Sequence, residues 1–586
     1  MSRIAVIQKE KCNPMGCGNF LCIRVCPINR TKKECIIKGD DSKARINEEL
    51  CTGCSICQNR CPFDAISIIN LPEELNKPPI HQYGQNGFHL YSLPTPIFGK
   101  VVGIVGVNGI GKSTAIKILA GVLEPNLGKI DEKGVNYNEL IDYFKGTEAQ
   151  IFFEKVKNKD IKISYKLQQI DLIPKQVKGK VNDLLKKVDE KKDLINIAKQ
   201  LEIEKILDND ISKISGGELQ RVAIAATVLK KADLYILDEP SSYLDIKQRL
   251  KIAKFIKAIA DENTAVIVIE HDLIVMDYMA DLIHIMYGKE GCYGIVSQLK
   301  SAKAGINAYL EGYLKEDNIR FRDHKIKFEA KPPIKKGKEH LLLSWPDMEK
   351  TLGKFELKIN EGEIDKDEIV GIIGENGIGK TSFVKILAGV EKPDKGDFEG
   401  DTLVSYKPQK LEADSNELVM NFLQDAIKKH TKEIINPLNI KDLYMKKLSE
   451  LSGGELQRVA IALALSKKSN LCLLDEPSAY LDVEQRLIVS KIIKNVAQTK
   501  GISVLVVDHD LLFIDYLSDR LIVFEGEPAI KGMEKGPFQM EEGMNSLLKD
   551  VEISLRRDDE SGRPRINKPG SVKDREQKNK GKYYYS

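Results

Sequence analysis

Short unbroken apolar runs, each closed by a glycine-rich or acidic turn, organise most of the chain. Val101–Val105 and Ile369–Ile373 are two of them. Runs of this kind predict strands buried on both faces, as in parallel sheets. Each enters a glycine-rich turn and then an apolar helix, Thr114–Ala120 and Ser382–Ala388. Later runs at Leu234–Leu237 and Ala265–Ile269 have counterparts at Leu471–Leu474 and Ser503–Val507. The pattern is strand, loop, helix, twice over, and the expected class is α/β. Tyr137–Lys157 differs, reading as two short amphipathic helices interrupted at Gly146-Thr147. No run of 18 apolar residues occurs, so no membrane helix is expected. Met1–Lys11 lacks the apolar stretch and cleavage site of a secretory signal. A transporter made of this chain alone is thereby excluded, and the expected location is cytoplasmic.

The two halves repeat each other in sequence as well as in pattern. Gly106-Val-Asn-Gly-Ile-Gly-Lys-Ser113-Thr returns as Gly374-Glu-Asn-Gly-Ile-Gly-Lys-Thr381-Ser, and Ser164-Tyr-Lys-Leu-Gln168 as Ser405-Tyr-Lys-Pro-Gln409. Ser215-Gly-Gly-Glu-Leu-Gln-Arg-Val-Ala223 returns unchanged at Ser452–Ala460. Leu237-Asp-Glu-Pro-Ser-Ser-Tyr-Leu-Asp245 returns at Leu474–Asp482, and Glu270-His-Asp272 as Asp508-His-Asp510. Five blocks in one order are a duplication.

Composition changes the picture in one region. The 586 residues are 42% hydrophobic, enough for several cores, and the net charge of +4 is too small to imply a polyanionic partner by itself. Nine of eleven cysteines fall in the first 61 residues. Without a secretory signal, that density points to metal rather than disulfides. Cys51, Cys54, Cys57, Cys61-Pro62 is the C-x2-C-x2-C-x3-C-P run of bacterial-type ferredoxins. Cys12, Cys17, Cys22, Cys26-Pro27 is a widened version. Resemblance to two-cluster ferredoxins implies two [4Fe–4S] clusters, one on Cys12, Cys17, Cys22 and Cys61, the other on Cys51, Cys54, Cys57 and Cys26. A pair of zinc sites is the competing reading; the C-P ends and the spacing favour the cubane. Cys35 reads as a spare core or loop thiol, and Cys292 and Cys472 as core. No flavin or nicotinamide fingerprint occurs elsewhere, so a structural or docking role is preferred to electron transfer.

The repeated blocks specify triphosphate chemistry. A glycine-rich turn at a helix N-terminus gathers backbone N–H groups around phosphate oxygens. Lys112 and Lys380 reach the β- and γ-phosphates, and Ser113 and Thr381 hold Mg²⁺. Asp238 and Asp475 end strands aimed at that metal, and Glu239 and Glu476 follow, placed to polarise the attacking water. His271 and His509 stand at further strand ends, to bond the γ-phosphate or else to serve as buried structural histidines. Adenine needs an aromatic face. Tyr83, with His81 and Phe88 nearby, is the candidate in the first half and Trp345 in the second; core or loop aromatics are the alternative.

Ser-Gly-Gly-Glu-Leu-Gln-Arg resembles the signature of ABC ATPases, usually LSGGQ, with glutamate (Glu218, Glu455) at its last position. Gln168 and Gln409 match the Q-loop, adding a Mg²⁺ ligand, and Asp245 and Asp482 match the D-loop. The resemblance implies two domains paired head to tail. One ATP would lie between Lys112 and the Ser452/Gly454 signature, the other between Lys380 and Ser215/Gly217. The remaining contacts would come from Asn108, Gly109, Gly111 and Thr114 in the first loop and Asn376, Gly377, Gly379 and Ser382 in the second.

The whole chain, with its cysteine runs, His81-Gln-Tyr83, paired signatures, Asn318–Asp323 and Leu555–Asn567, resembles the ABC class E (RNase L inhibitor) family. The domains expected are an α+β ferredoxin-like domain at 1–75, an ABC domain at 76–315 with a helix-loop-helix insertion at about 130–160, a hinge at 316–335, a second ABC domain at 336–550 and a second hinge at 551–586. The family's work would be ATP-driven splitting of terminated or rescued ribosomes. The partners would be the small subunit and its rRNA, a release factor or its Pelota-type paralogue, and initiation factors, with the chain acting as a monomer. A redox-coupled iron–sulfur ATPase and a cytosolic assembly scaffold are the alternatives. The first half carries about 27 extra residues between lysine and Q-loop glutamine, 56 against 29. They include Tyr137–Lys157, which in the family touches rRNA and is otherwise a decorative insertion. Arg320, Arg322, Arg556, Arg557, Arg563 and Arg565 could meet rRNA phosphates or acidic partners, or pack as a charged linker.

Overall fold

The computed structural model describes residues 3–70, 78–130, 137–326, 328, 341–396, 402–409 and 415–585. The expected boundaries at 75/76 and 335/336, part of the 316–335 hinge and residues 131–136 of the insertion lie outside these. The chain divides into two compact units. One comprises Met1–Pro240, Ile256–Glu270 and Ala280–Asp323; the other Ser241–Phe255, His271–Met279 and His324–Ser586.

The first unit opens with a small α+β region. Arg3–Ile7 pairs antiparallel with Ile66–Asn70, and Ile36–Lys38 with Ala44–Ile46. Between these ladders lie short helices: Leu21–Val25 carries Cys22, Ile56–Arg60 carries Cys57, and Cys26 is the N-cap residue of Pro27–Arg30. Apolar side chains and thiols share one core here, Ile36, Ile46 and Ile66 with Cys26, Cys35 and Cys57.

Among the described residues the larger sheet of this unit has nine strands. Its centre is parallel, in the order Leu282–Lys289, Val101–Val105, Ala265–Ile269, Leu234–Asp238, Ile163–Lys166. The strands expected from unbroken apolar runs are the central ones, and every residue of Val101–Val105, Leu234–Asp238 and Ala265–Ile269 is buried. The helix Lys112–Leu119 follows Val101–Val105 through the glycine turn. The insertion forms Tyr137–Tyr143 and Glu148–Lys157, with Thr147 as N-cap of the second, so the break falls where glycine and threonine predict it. Phe144, Phe152 and Phe153 root these helices in the core under the phosphate-loop helix.

The second unit repeats the plan, with eight strands among its described residues: Met348–Leu352, Phe355–Ile359, Lys531–Gln539, Arg520–Glu527, Ile369–Gly374, Ser503–Val507, Leu471–Asp475, Val404–Lys407. Its phosphate-loop helix is Lys380–Leu387. A C-terminal hairpin, Leu555–Arg557 with Pro564–Ile566, and the helix Val572–Asn579 complete it.

That hairpin corrects part of the hinge expectation. Arg563, fully buried, donates to Asp277 at 3.0 Å; Arg565 grips the same carboxylate through Nε at 2.6 Å and Nη2 at 3.0 Å. Arg322 is buried as well, bonded to the carbonyls of Tyr309 and Leu310. A guanidinium enclosed and paired this way has no free face for rRNA phosphate, so these three pack the linker. Arg320 is exposed.

Candidate functional site

In the first phosphate loop, Gly109 and Gly111 take φ of 76° and 89°. A Cβ on Gly111 would meet the Phe88 ring at 2.6 Å. The loop is a cradle that only glycine can line. Lys112 is buried and donates to the carbonyls of Gly106 and Val107, both at 2.8 Å, and to Asn108 Oδ1 at 3.4 Å. The helix beginning at Lys112 has no side-chain cap, leaving its first N–H groups for an anion. Tyr83 is half exposed, its hydroxyl 3.3 Å from Thr114 Oγ1, with His81 edge-on at 4.7 Å. This is an aromatic face beside the loop.

Asp238 is buried, and Oδ1 has no hydrogen-bond partner. Burial and the Glu239 charge push its carboxyl up to about 7, against Lys166, Lys112 and Lys117. An enclosed, unsatisfied carboxylate oxygen beside the phosphate cradle suits a cation, so the residues fit Mg²⁺. Lys166, also buried, donates to the Asp238 carbonyl at 2.8 Å; burial lowers its ammonium to about 8. Gln168 donates Nε2 to Glu239 Oε1 at 2.6 Å.

The second half repeats this geometry. Gly377 and Gly379 have φ of 71° and 101°. Lys380 donates to the carbonyls of Gly374 and Glu375 at 2.9 and 2.5 Å, and burial lowers its ammonium to about 8. Burial raises Asp475, offset first by the Thr381 hydroxyl. Lys407 donates to the Asp475 carbonyl at 2.7 Å and Gln409 Nε2 to Glu476 Oε1 at 2.6 Å. Burial, then the neighbouring Asp475 charge, raises the Glu476 carboxyl, the direction that makes a carboxylate a better base. His509 Nε2 lies 3.7 Å from Glu476 Oε1. Burial and Lys380 hold His509 well below its ordinary range, so the ring is neutral at pH 7. Neither of its ring nitrogens has a hydrogen-bond partner; a γ-phosphate oxygen would satisfy one.

Both glutamates have left-handed backbone, φ 48° at Glu239 and 49° at Glu476, a conformation costing an L-residue about 1–2 kcal/mol. Two bonds hold each. Glu239 N donates to Ile269 O at 3.0 Å and its carbonyl accepts from Gln220 Nε2 at 2.7 Å. Glu476 N donates to Val507 O at 2.8 Å and its carbonyl accepts from Gln457 Nε2 at 2.6 Å. Sequence reading did not single out these two glutamines or Lys166 and Lys407. The signal was their recurrence inside repeated blocks.

Each signature serine begins a helix, Gly216–Val228 or Gly453–Ser466, inside a reciprocal capping box with Glu218 or Glu455. The glutamates that depart from the usual signature therefore organise the helix start. Gly217 and Gly454 lie in its first turn. Within the second unit, Asp245 Oδ2 accepts from Asn376 N at 3.0 Å and Asn376 Nδ2 donates to Tyr243 O at 3.1 Å, setting Asp245 on the second phosphate loop. His271 is buried, followed by Asp272, which Arg249 binds at 3.1 Å. Asp482 caps the helix Val483–Lys500 through Gln485 N at 2.9 Å.

Trp345 is a correction. It is 2% exposed, its Nε1 donates to Asn360 O at 2.8 Å, and its ring lies 5.5 Å from Phe383. An indole enclosed on all sides offers adenine no face. Phe355 stands instead where Phe88 stands in the first half: a Cβ on Gly379 would meet its ring at 3.3 Å.

The thiols form two gatherings. Cys22 lies close enough to Cys12, Cys17 and Cys57 to feel their charge, and burial with these neighbours pushes it up to about 12. Cys57 is likewise close to Cys51, Cys54 and Cys26 and pushed up to about 11. Cys35 is buried, donates its thiol to the Asn47 carbonyl, and lies close enough to Cys26 and Cys51 to feel their charge, which places it in the core beside the second gathering. Among the described residues no three side chains converge tightly enough for one metal ion. A cubane holds its thiolates at four separate corners, and closely spaced, half-buried thiols suit such a body, which draws off their protons as it binds.

Comparisons with known proteins follow this geometry. A family profile described as "ABC transporter" matches residues 98–242 and 357–479, "4Fe-4S binding domain" matches 44–67, and "Possible Fer4-like domain in RNase L inhibitor, RLI" matches 2–34. ABC transporter E family member 1 of Arabidopsis thaliana is 43% identical over 100% of this chain and 99% of its own. The chain belongs to the ABC class E family. As a class E protein it is an ABC-type ATPase with an iron–sulfur binding region. Two solved class E structures resemble it closely. "Model of ribosome-bound archaeal Pelota and ABCE1" is 52% identical with a TM-score of 0.93, covering 100% of this chain and 99% of that one. The complex of archaeal ribosomal stalk protein aP1 and archaeal ribosome recycling factor aABCE1 is 52% identical with a TM-score of 0.83, covering 87% and 99%. Among the described residues of this class E chain no helix is long and apolar enough to cross a membrane.

Proposed function

We propose that this chain is an ATP-driven ribosome-recycling factor that separates terminated or rescued ribosomes and remains on the small subunit. The observation that carries the reading is likeness along the whole chain, at a TM-score of 0.93, to a protein whose structure is described as ribosome-bound with Pelota.

Two ATP molecules lie between the phosphate loop of one domain and the signature of the other, Lys112 with Ser452 and Gly454, Lys380 with Ser215 and Gly217. Asp245 on the second phosphate loop supports this pairing. Mg²⁺, held by Ser113 and Gln168 or Thr381 and Gln409 with Asp238 or Asp475, would draw charge from the β- and γ-phosphates. Glu239 and Glu476 take the proton of the attacking water, oriented by the Q-loop amides, and His271 and His509 hold the γ-phosphate. Tyr83 and Phe355 stack on adenine. Two [4Fe–4S] clusters occupy Cys12, Cys17, Cys22, Cys61 and Cys51, Cys54, Cys57, Cys26. Closure on ATP shifts the iron–sulfur region against a release factor or Pelota-type protein. The insertion Tyr137–Lys157 meets rRNA, and the chain works as a monomer in the cytoplasm.

The test uses purified ribosomes, a release factor or Pelota-type protein, and the full chain. With ATP, density gradients should show free subunits; with a non-hydrolysable analogue, the chain should sediment with the small subunit. Intact ribosomes in both cases would refute the reading. Iron and acid-labile sulfide at eight each per chain would establish the cluster count.

A further inference from the structure

We infer that Gln220 and Gln457 are positioning residues through which hydrolysis at one nucleotide answers to the nucleotide at the other. This rests on the pairing proposed above, in which the signature of each domain faces the ATP held by the other domain.

In each domain one helix carries both ends of the link. Its start is the signature, capped by Ser215 or Ser452, and its fifth residue is the glutamine. The glutamine reaches back into its own domain, where Nε2 binds the carbonyl oxygen of Glu239 at 2.7 Å or Glu476 at 2.6 Å. Both side chains are buried, at 0% and 1% exposure, and Gln220 Oε1 has no hydrogen-bond partner. The amide is thus retained for what it donates.

The receiving peptide is unusual. Glu239 and Glu476 are left-handed, and each N–H is fixed on the neighbouring strand, to Ile269 O or Val507 O. One side of the glutamate is anchored in the sheet and the other hangs from the signature helix. A helix drawn toward an arriving γ-phosphate pulls its glutamine with it and turns the glutamate peptide. The carboxylate, which Gln168 or Gln409 grips at 2.6 Å, turns too. The first signature serves one ATP and Glu239 the other, so Gln220 spans the two reactions; Gln457 does the same in reverse.

The experiment uses the full chain in a Glu476→Gln background, where turnover depends on Glu239. Single-turnover hydrolysis, ATP affinity and thermal midpoint are measured for Gln220→Leu, and for Gln220→Met, which keeps the length of the side chain if leucine impairs folding. The expected result is at least a tenfold slower hydrolysis with ATP affinity unchanged; the midpoint falls by a few degrees, as loss of a donor to a buried carbonyl requires, and the chain stays folded at the assay temperature. Ser215→Ala, which touches the other nucleotide, should slow hydrolysis when Gln220 is present and add nothing once it is replaced. Unchanged hydrolysis, an equal loss of affinity, or additive effects of Ser215→Ala and Gln220→Leu would each overturn the inference. Gln457→Leu in a Glu239→Gln background is the mirror test. Failure of the ribosome reading would appear separately, as absence of splitting by the unmodified chain, with these rates unaffected.

Discussion

Asn86 pairs with Ile46 as a neighbouring strand would: Oδ1 accepts the Ile46 N–H at 2.8 Å and Nδ2 donates to the Ile46 carbonyl at 3.0 Å. Nδ2 also donates to Ala5 O at 2.9 Å, and the Asn86 carbonyl accepts from Ile7 N at 2.8 Å. Asn86 is buried at φ 57°, in the loop between Tyr83 and Phe88. That loop therefore presents its ends to the nucleotide site and its tip to the iron–sulfur region. Replacing Asn86 by alanine or glycine leaves buried groups unpaired, at about 1–3 kcal/mol each. The Ile46 amide should then exchange with deuterium roughly 100-fold faster, since about 1.4 kcal/mol is tenfold. Glycine accepts the left-handed φ, so an equal effect in both variants assigns the loss to the side chain. Retained protection in both would refute the link.

Glu239→Gln with Glu476→Gln should remove the water-activating carboxylates and preserve their shape. Turnover should fall by about 10²–10⁴-fold, while ATP affinity, measured by equilibrium binding of a fluorescent analogue, stays within a few-fold. Full turnover would show that neither carboxylate takes the proton.

Phe355→Ala should weaken ATP binding in the second site by roughly tenfold, from loss of a stacking face worth about 1–2 kcal/mol. Trp345→Phe should leave that affinity unchanged and lower the thermal midpoint. The opposite pattern would return the indole to the nucleotide.

Glu534 predicts a pH dependence. It is fully buried, with Oε2 accepting from Asn360 N at 3.2 Å, and burial pushes its carboxyl up to about 8. In the unfolded chain the same group ionises near the ordinary value of about 4.3. Between these limits the folded state binds the extra proton, so stability declines as pH rises from about 4.5 to 8, by a few kcal/mol at most. Glu534→Gln should flatten that decline and raise stability at pH 8.5 more than at pH 5. Trp345, the sole tryptophan, is bonded to Asn360, so its fluorescence in urea titrations reads the relevant unit. An unchanged slope would mean that Glu534 ionises in the fold.

The sheets were legible because their central strands are buried on both faces and must be written in apolar residues, as Val101–Val105 and Leu471–Asp475 are. The phosphate loops were legible because positive φ at Gly111 and Gly379 admits few residues besides glycine. Trp345 was misread because aromatic character before a phosphate loop does not reveal whether the ring faces solvent or core; Phe355, two residues after the turn at Gly353, is the half-buried ring beside Gly379. Arg563 and Arg565 were ambiguous because their partner, Asp277, lies 286 residues away from the first of them. No local pattern carries such a pairing. Lys166 and Gln220 were in view within repeated blocks, but their role depends on backbone carbonyls, which carry no sequence identity.

Asp277 and Asp515 each stand five residues beyond the aspartate that follows His271 or His509, and one stretch of chain answers both. Arg563 and Arg565 bind the former, Arg557 and Tyr584 the latter. A reporter peptide or fluorophore spliced between Asp558 and Arg563 would therefore loosen the helices Leu273–Met279 and Leu511–Leu517, which follow His271 and His509, from a single point. Probes meant to follow the working cycle belong elsewhere, and Ile195, 80% exposed, is a position where a label leaves both that fastening and the insertion whole.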